Sequence, residues 1–106
     1  MSKNAQAKLR LAQSEEYQGE DWWHWRVWLK GDKTVLDRVD RVVYQLHPTF
    51  SEPVRRINDR SDSFGLEAQG WGTFTIHARV EMKDGTSIKL KHDLELTYPD
   101  GTKTEA

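Results

Sequence analysis

Residues 74 to 98 constrain the fold more than any other part of the chain. Phe74, Ile76, Ala78, Val80 and Met82 alternate with Thr75, His77, Arg79 and Glu81; after Lys83-Asp84-Gly85-Thr86, the residues Ile88, Leu90, His92, Leu94, Leu96 and Tyr98 alternate with Lys89, Lys91, Asp93, Glu95 and Thr97. Successive side chains of an extended strand point to opposite faces, so period two over this length predicts half-buried strands. An Asp-Gly pair between two such runs is a hairpin turn. The mixed charges of the polar faces read as a solvated sheet surface.

The same period recurs upstream. Trp23, Trp25, Val27 and Leu29 share one face of a predicted strand, whose other face carries Trp22, His24, Arg26, Trp28 and Lys30. Two tryptophans on a wet face need a strand, a loop or a ligand over them. Residues Val39 to Leu46 place Val42, Tyr44 and Leu46 inward, and Val54 to Ile57 is a short extended piece that Pro48 and Pro53 confine to a sheet margin. Ser63 to Glu67 alternates again. Lys8 to Gln13 alternates weakly and is expected to be an edge strand, Ser14 to Asp21 reads as a polar turn, and Thr34 to Arg38 offers at most one turn of helix. Seven or eight strands without a sustained helical period define an all-β, immunoglobulin-like antiparallel β-sandwich with binding loops gathered at one end. The expected organisation is a loose arm over residues 1–7, the sandwich over 8–98 and a polar, disordered tail over 99–106.

A chain of 106 residues suffices for one core. Charged residues make up 31% of it yet balance to a net charge of −1, so no global field favours nucleic acid, although Arg55, Arg56 and Arg60 could touch an acidic partner. Cysteine is absent, which removes disulfides, thiolate metal sites and thiol nucleophiles and fits a reducing cytoplasm. No apolar run approaches the ~20 residues that span a bilayer, and the first residues lack the apolar core of a signal peptide. No nucleophile elbow, phosphate cradle or paired carboxylates stand in a context that would make an enzyme. His24, His47, His77 and His92 form no close-spaced metal motif, so neither metal nor cofactor is expected.

Two loop stretches carry what remains. Gly70-Trp71-Gly72-Thr73-Phe74 holds an indole between glycines, which allow close backbone approach and conformations that a side chain would forbid. Leu46-His47-Pro48-Thr49-Phe50 sets a hydroxyl beside an aromatic ring. If both lie at one end of the sandwich, Phe50 and Trp71 can face each other across a narrow slot. Thr49 would accept a hydrogen bond there, and the backbone N–H of Trp71 or Gly72 would donate one. One acceptor and one donor between aromatic walls match a secondary amide, such as that of an acylated lysine, which enters an apolar slot without the desolvation cost of an ammonium. Two other readings stay open: these aromatics serve as structure in an interaction domain, or Trp22 and Trp28 form a sugar-stacking surface.

The run Val43-Tyr44-Gln45-Leu46-His47-Pro48-Thr49-Phe50, the later Gly70-Trp71-Gly72-Thr73-Phe74 and the hairpin ending His92-Asp93-Leu94-Glu95-Leu96 together resemble the YEATS domain family. The resemblance extends from Trp25 to Leu96, and Trp23-His24-Trp25-Arg26-Val27-Trp28-Leu29 is more similar to the prokaryotic branch. It implies an immunoglobulin-like, non-enzymatic reader whose loops bind acylated lysine, acetyl or the flatter crotonyl, on histone tails. Carried over, Phe50 and Trp71 resemble the aromatic walls and Thr49 the hydroxyl partner of the amide. His47 resembles the residue packed beside it, and the backbone at Trp71 and Gly72 would hold the carbonyl. A prokaryotic setting offers no histone tails of the usual kind, so the resemblance leaves the natural ligand open.

Overall fold

The computed structural model describes residues 9–104; the arm expected at 1–7 lies outside the described residues. Seven strands form two antiparallel sheets: β1 (Arg10–Gly19), β2 (Trp22–Lys30) and β5 (Leu66–Gly70) in the order β1-β2-β5, against β3 (Val39–Gln45), β4 (Val54–Ile57), β6 (Thr75–Met82) and β7 (Ser87–Asp93) in the order β4-β3-β6-β7. The Thr34 to Arg38 stretch contributes one short helix, α1 (Lys33–Leu36). The all-β sandwich expected from the period is the observed architecture.

Burial follows the period. From β2, Trp23, Trp25, Val27 and Leu29 are buried, and from the opposite sheet Val42, Tyr44, Ile76, Ala78 and Val80 join them in one core. Removing such side chains from water is the main favourable contribution, about 1.5–3 kcal/mol for each fully buried aliphatic or aromatic group. The Tyr44 hydroxyl donates to the Phe64 carbonyl at 2.6 Å, and burial pushes its pKa well above the ordinary tyrosine value. That bond helps to hold Ser63 and Phe64, both in the left-handed region (φ 53° and 55°) where a bulky side chain is strained. Asp59 accepts the Phe64 N–H and Ser63 accepts that of Leu29, each at 2.9 Å, so the approach to β5 is held from three sides.

Three expectations are corrected. Ser14 to Gly19 is strand, not turn, because β1 continues against β2, with Ser14 opposite Arg26 and Tyr17 opposite Trp23. Its less exposed side carries Leu11, Gln13, Glu15 and Tyr17, so between Leu11 and Tyr17 the period runs without an apolar residue to mark it. At the other end residues 99–104 of the polar stretch turn back in place of disorder, and the last two positions of the expected tail lie outside the described residues. Thr97 pairs with Lys103, and Thr104 donates to the Leu96 carbonyl at 3.0 Å. The register also replaces mixed charges with like ones on part of the outer hairpin face, setting Arg79 opposite Lys89 and His77 opposite Lys91.

β3 ends at Gln45, β5 ends at Gly70, and β2 and β6 begin at Trp22 and Thr75. With all pairings antiparallel and Trp23 opposite Gly70, loops 46–53 and 71–74 emerge at the same end of the sandwich.

Candidate functional site

Pro48 cannot donate to a sheet ladder, so β3 stops before it and the chain turns. The loop is closed at its base by the Leu46 N–H, donating to the Pro53 carbonyl at 2.7 Å, and at its tip by the Phe50 N–H, donating to the His47 carbonyl at 3.0 Å. Within it the Thr49 backbone N–H donates to His47 Nδ1 at 3.2 Å, and Thr49 Oγ1 lies 2.9 Å from the same nitrogen. A backbone N–H can only donate, so Nδ1 is the acceptor in that contact. The hydroxyl oxygen carries two lone pairs, so it keeps accepting capacity for an incoming donor whichever way its hydrogen turns.

Below the loop lies an aromatic floor. Phe50 and Phe74 are half-buried with ring centroids 5.4 Å apart; both meet the buried Trp25 edge-on, at 6.2 and 5.9 Å, and His47 meets Phe74 at 6.1 Å. The Trp25 indole N–H is buried without a hydrogen-bond partner among the described residues. Trp71 stands above this floor with 62% of its surface exposed. One open cleft of about 460 Å³ is lined by all six residues singled out in the sequence: His47, Thr49, Phe50, Gly70, Trp71 and Gly72.

The cleft differs from the expected slot in three respects. The ring contacts of Phe50 are with Trp25 and Phe74, while Trp71 lines the same cleft as a largely exposed residue. Gly70 and Gly72 are not among the glycines of positive φ, and a Cβ on Gly72 would meet nothing within 4 Å. These glycines supply open space, with Phe50 Cζ 4.0 Å from where a Gly70 Cβ would sit. Lastly, Trp22 and Gln69 also line the cleft, the Trp22 indole donating to Gln69 Oε1 at 3.0 Å. The alternation of β2 alone sets Trp22 with Trp28 on a wet face. The signal that could have relocated it is antiparallel pairing, which puts the start of β2 beside the Gly70 end of β5. Trp28 lies six residues along β2, roughly 20 Å away at strand rise, with the Arg26 guanidinium 4.8 Å from its ring centre. The two tryptophans therefore form no common sugar platform.

Other titratable groups near this end are engaged structurally. His24 meets Glu67 at 3.2 Å and His92 meets Gln13 at 2.7 Å. Among the described residues no cluster of histidine and carboxylate side chains is arranged to hold a metal ion, and no helix is long and apolar enough to cross a membrane.

Fold and cleft together define a small immunoglobulin-like sandwich with an aromatic cleft at its loop end. The chain belongs to the prokaryotic YEATS domain family, which matches residues 23–95. A transcription initiation factor TFIID subunit 14b from Arabidopsis thaliana is 32% identical over 93 residues, covering 82% of this chain and 32% of that protein. A TFIID subunit 14 from Schizosaccharomyces pombe is 42% identical over 55 residues, 52% of this chain and 22% of that protein. The chain thus spans about a fifth to a third of the length of these relatives. Among solved structures, the Yaf9 YEATS domain bound to H3K27ac superposes with a TM-score of 0.66 at 21% identity, over 91% of this chain and 78% of that one. The Yaf9 YEATS domain recognising an H3K122suc peptide gives 0.63 at 22%, over 91% and 72%. At these identities the likeness is one of fold.

Proposed function

We propose that the cleft reads an acylated lysine side chain, acetyl or crotonyl, without catalysing a reaction. The observation that carries this reading is the pairing of Thr49 with His47 Nδ1 at the rim of an aromatic floor. It leaves a hydroxyl acceptor beside half-buried rings, as an amide N–H requires. The acyl group would lie on Phe50 and Phe74 with Trp71 as the opposing wall, and the backbone N–H of Trp71 or Gly72 would donate to the acyl carbonyl. Unmodified lysine would have to shed the hydration of its ammonium to enter, and the cleft lining has no carboxylate to receive it.

Stacking contributes about 0.5–1.5 kcal/mol per ring beyond area burial and each hydrogen bond about as much. The sum places the isolated side chain at millimolar to tens of micromolar affinity, so residues flanking the lysine supply the rest and select the partner. The Yaf9 YEATS domains solved with H3K27ac and with an H3K122suc peptide support the guest chemistry. The absence of cysteine supports a cytoplasmic setting. The alternative of a purely structural interaction domain expects Trp71 to be covered, whereas 62% of it is exposed.

Titration of the labelled protein with acetyl-lysine and crotonyl-lysine peptides, followed by NMR, tests the reading. Shifts should centre on loops 46–53 and 71–74 and be strongly reduced, at matched peptide concentration, by Phe50→Ala and Trp71→Ala. Shifts indifferent to both substitutions would remove the cleft from the account.

A further inference from the structure

The outer face of the four-stranded sheet carries a second surface. One row across the strands runs Arg56, Val43, Arg79, Lys89, and the next runs Val54, Gln45, His77, Lys91. These rows hold four permanent cations and an imidazole, and no carboxylate. The carboxylates of this face stand outside them. Asp93 is bonded to Thr75 at 2.7 Å, and Glu81 is shared by Arg41 and Arg79 at 2.9 Å each, with Asp40 beside Arg41. Among the described residues Arg56, Lys89 and Lys91 have no carboxylate within ion-pairing distance. The outer face of the other sheet is arranged differently, with Arg26 paired to Asp62 at 2.6 Å and His24 to Glu67 at 3.2 Å. With a net charge of −1 for the whole chain, the excess on the first face is local.

The register makes this excess unfavourable for the fold alone. Arg79 stands directly opposite Lys89, and His77 opposite Lys91; like charges directly opposite on a sheet destabilise it. Four strands at about 4.8 Å spacing spread the cations of one row over roughly 14 Å. Between them the floor is aliphatic, with Val43, Val54 and Leu90 lining a shallow groove together with Arg56, Arg79 and Lys89.

We propose that this face docks an extended acidic segment of a partner protein, in which every second residue faces the sheet and these inward positions carry both carboxylates and small apolar side chains. The carboxylates meet Arg56, Arg79, Lys89 and Lys91, and the apolar side chains settle on Val43 and Val54. Nucleic acid supplies the charge but no apolar group for the valine floor. The large apolar side chains that the described residues expose are Trp22, Val54 and Trp71, so the face offers no exposed aromatic ring for a base to stack on. The inference is independent of the acyl-lysine reading.

The test is an NMR titration of the full chain with a capped twelve-residue peptide of three Glu-Ser-Val-Ser repeats, which sets glutamate and valine on one face of the extended chain, at low and at physiological salt. A DNA duplex is titrated in parallel. Shifts are expected at Val43, Arg56, Arg79 and Lys89, weakening as salt rises. The double variant Arg56→Glu, Lys89→Glu should bind at least about tenfold more weakly, because it opposes the peptide's charge at two points. A glutamate at position 89 would face Arg79, so this variant should melt at or above the wild-type temperature, which separates lost binding from lost folding. The neutral pair Arg56→Gln, Lys89→Gln should weaken binding in the same direction. Absence of shifts on these strands, equal affinity in the variants, or tighter binding of the duplex through the same residues would overturn the proposal.

Discussion

Two aromatic clusters occupy the same end of this sandwich, and they are finished differently. Tyr17, Trp23 and Tyr98 lie with ring centroids 4.9 to 5.4 Å apart, and each polar atom on their rings is engaged. The Trp23 indole donates to the Thr97 carbonyl at 2.9 Å, the Tyr98 hydroxyl donates to Asp21 at 2.7 Å, and the Tyr17 hydroxyl accepts the Asp21 N–H at 3.1 Å. Trp25, Phe50 and Phe74 are spaced almost as closely. Yet the Trp25 N–H is without a partner among the described residues, two of the three rings are half-buried, and Trp71 stands exposed beside them. Ring density therefore does not distinguish the closed cluster from the candidate site. Completion of the polar bonds does.

The contrast can be broken most severely from the closed side. Trp23→Ala should cost about 3–5 kcal/mol of stability, read as a lower midpoint in urea denaturation; a loss under 1 kcal/mol would mean that the closed cluster is not a structural anchor. From the open side, Phe50→Ala should reduce affinity for an acetyl-lysine peptide about tenfold, from lost stacking and lost burial, with a smaller loss of stability than Trp23→Ala. Comparable stability losses with unchanged affinity would erase the difference between the clusters.

Thr49→Val keeps the shape and removes the acceptor. Binding should weaken about two- to tenfold while the melting temperature holds, and isothermal titration against wild type decides it. The smallest effect concerns pH. The hydrogen bond to Asp21 raises the Tyr98 pKa, with partial burial and the Asp21 charge adding to it. A raised folded-state value means that the contribution is complete below the unfolded tyrosine pKa of about 10 and fades as pH climbs through the folded value. Tyr98→Phe should flatten the alkaline end of the stability profile relative to wild type. Parallel profiles for the two proteins would show that the bond contributes nothing.

Much of the fold was legible because burial and period coincide: β2, β3 and β6 alternate apolar and polar residues, and the strand boundaries follow. β1 was legible only in part. An edge strand with Gln13, Glu15 and Tyr17 on its less exposed side satisfies its backbone through β2, so hydropathy alone does not reveal it. The candidate residues of the cleft were legible as two loop motifs, whereas their roles depended on packing. Phe50 settles onto Phe74 and Trp25, a contact between loop 46–53, β2 and the start of β6 that no local pattern encodes. Trp22 and Gln69 reach the cleft through strand register, which pairs positions more than forty residues apart.

The space beside Gly70 has a practical consequence. A methyl group added there would come to rest 4.0 Å from the tip of the Phe50 ring, an ordinary contact with no clash, on backbone outside the positive-φ region. The position is therefore a gauge. Gly70→Ala would trim the aperture by one carbon while leaving the sandwich intact, and a ladder of guests from formyl to longer acyl chains would reveal the bore by where each ceases to fit.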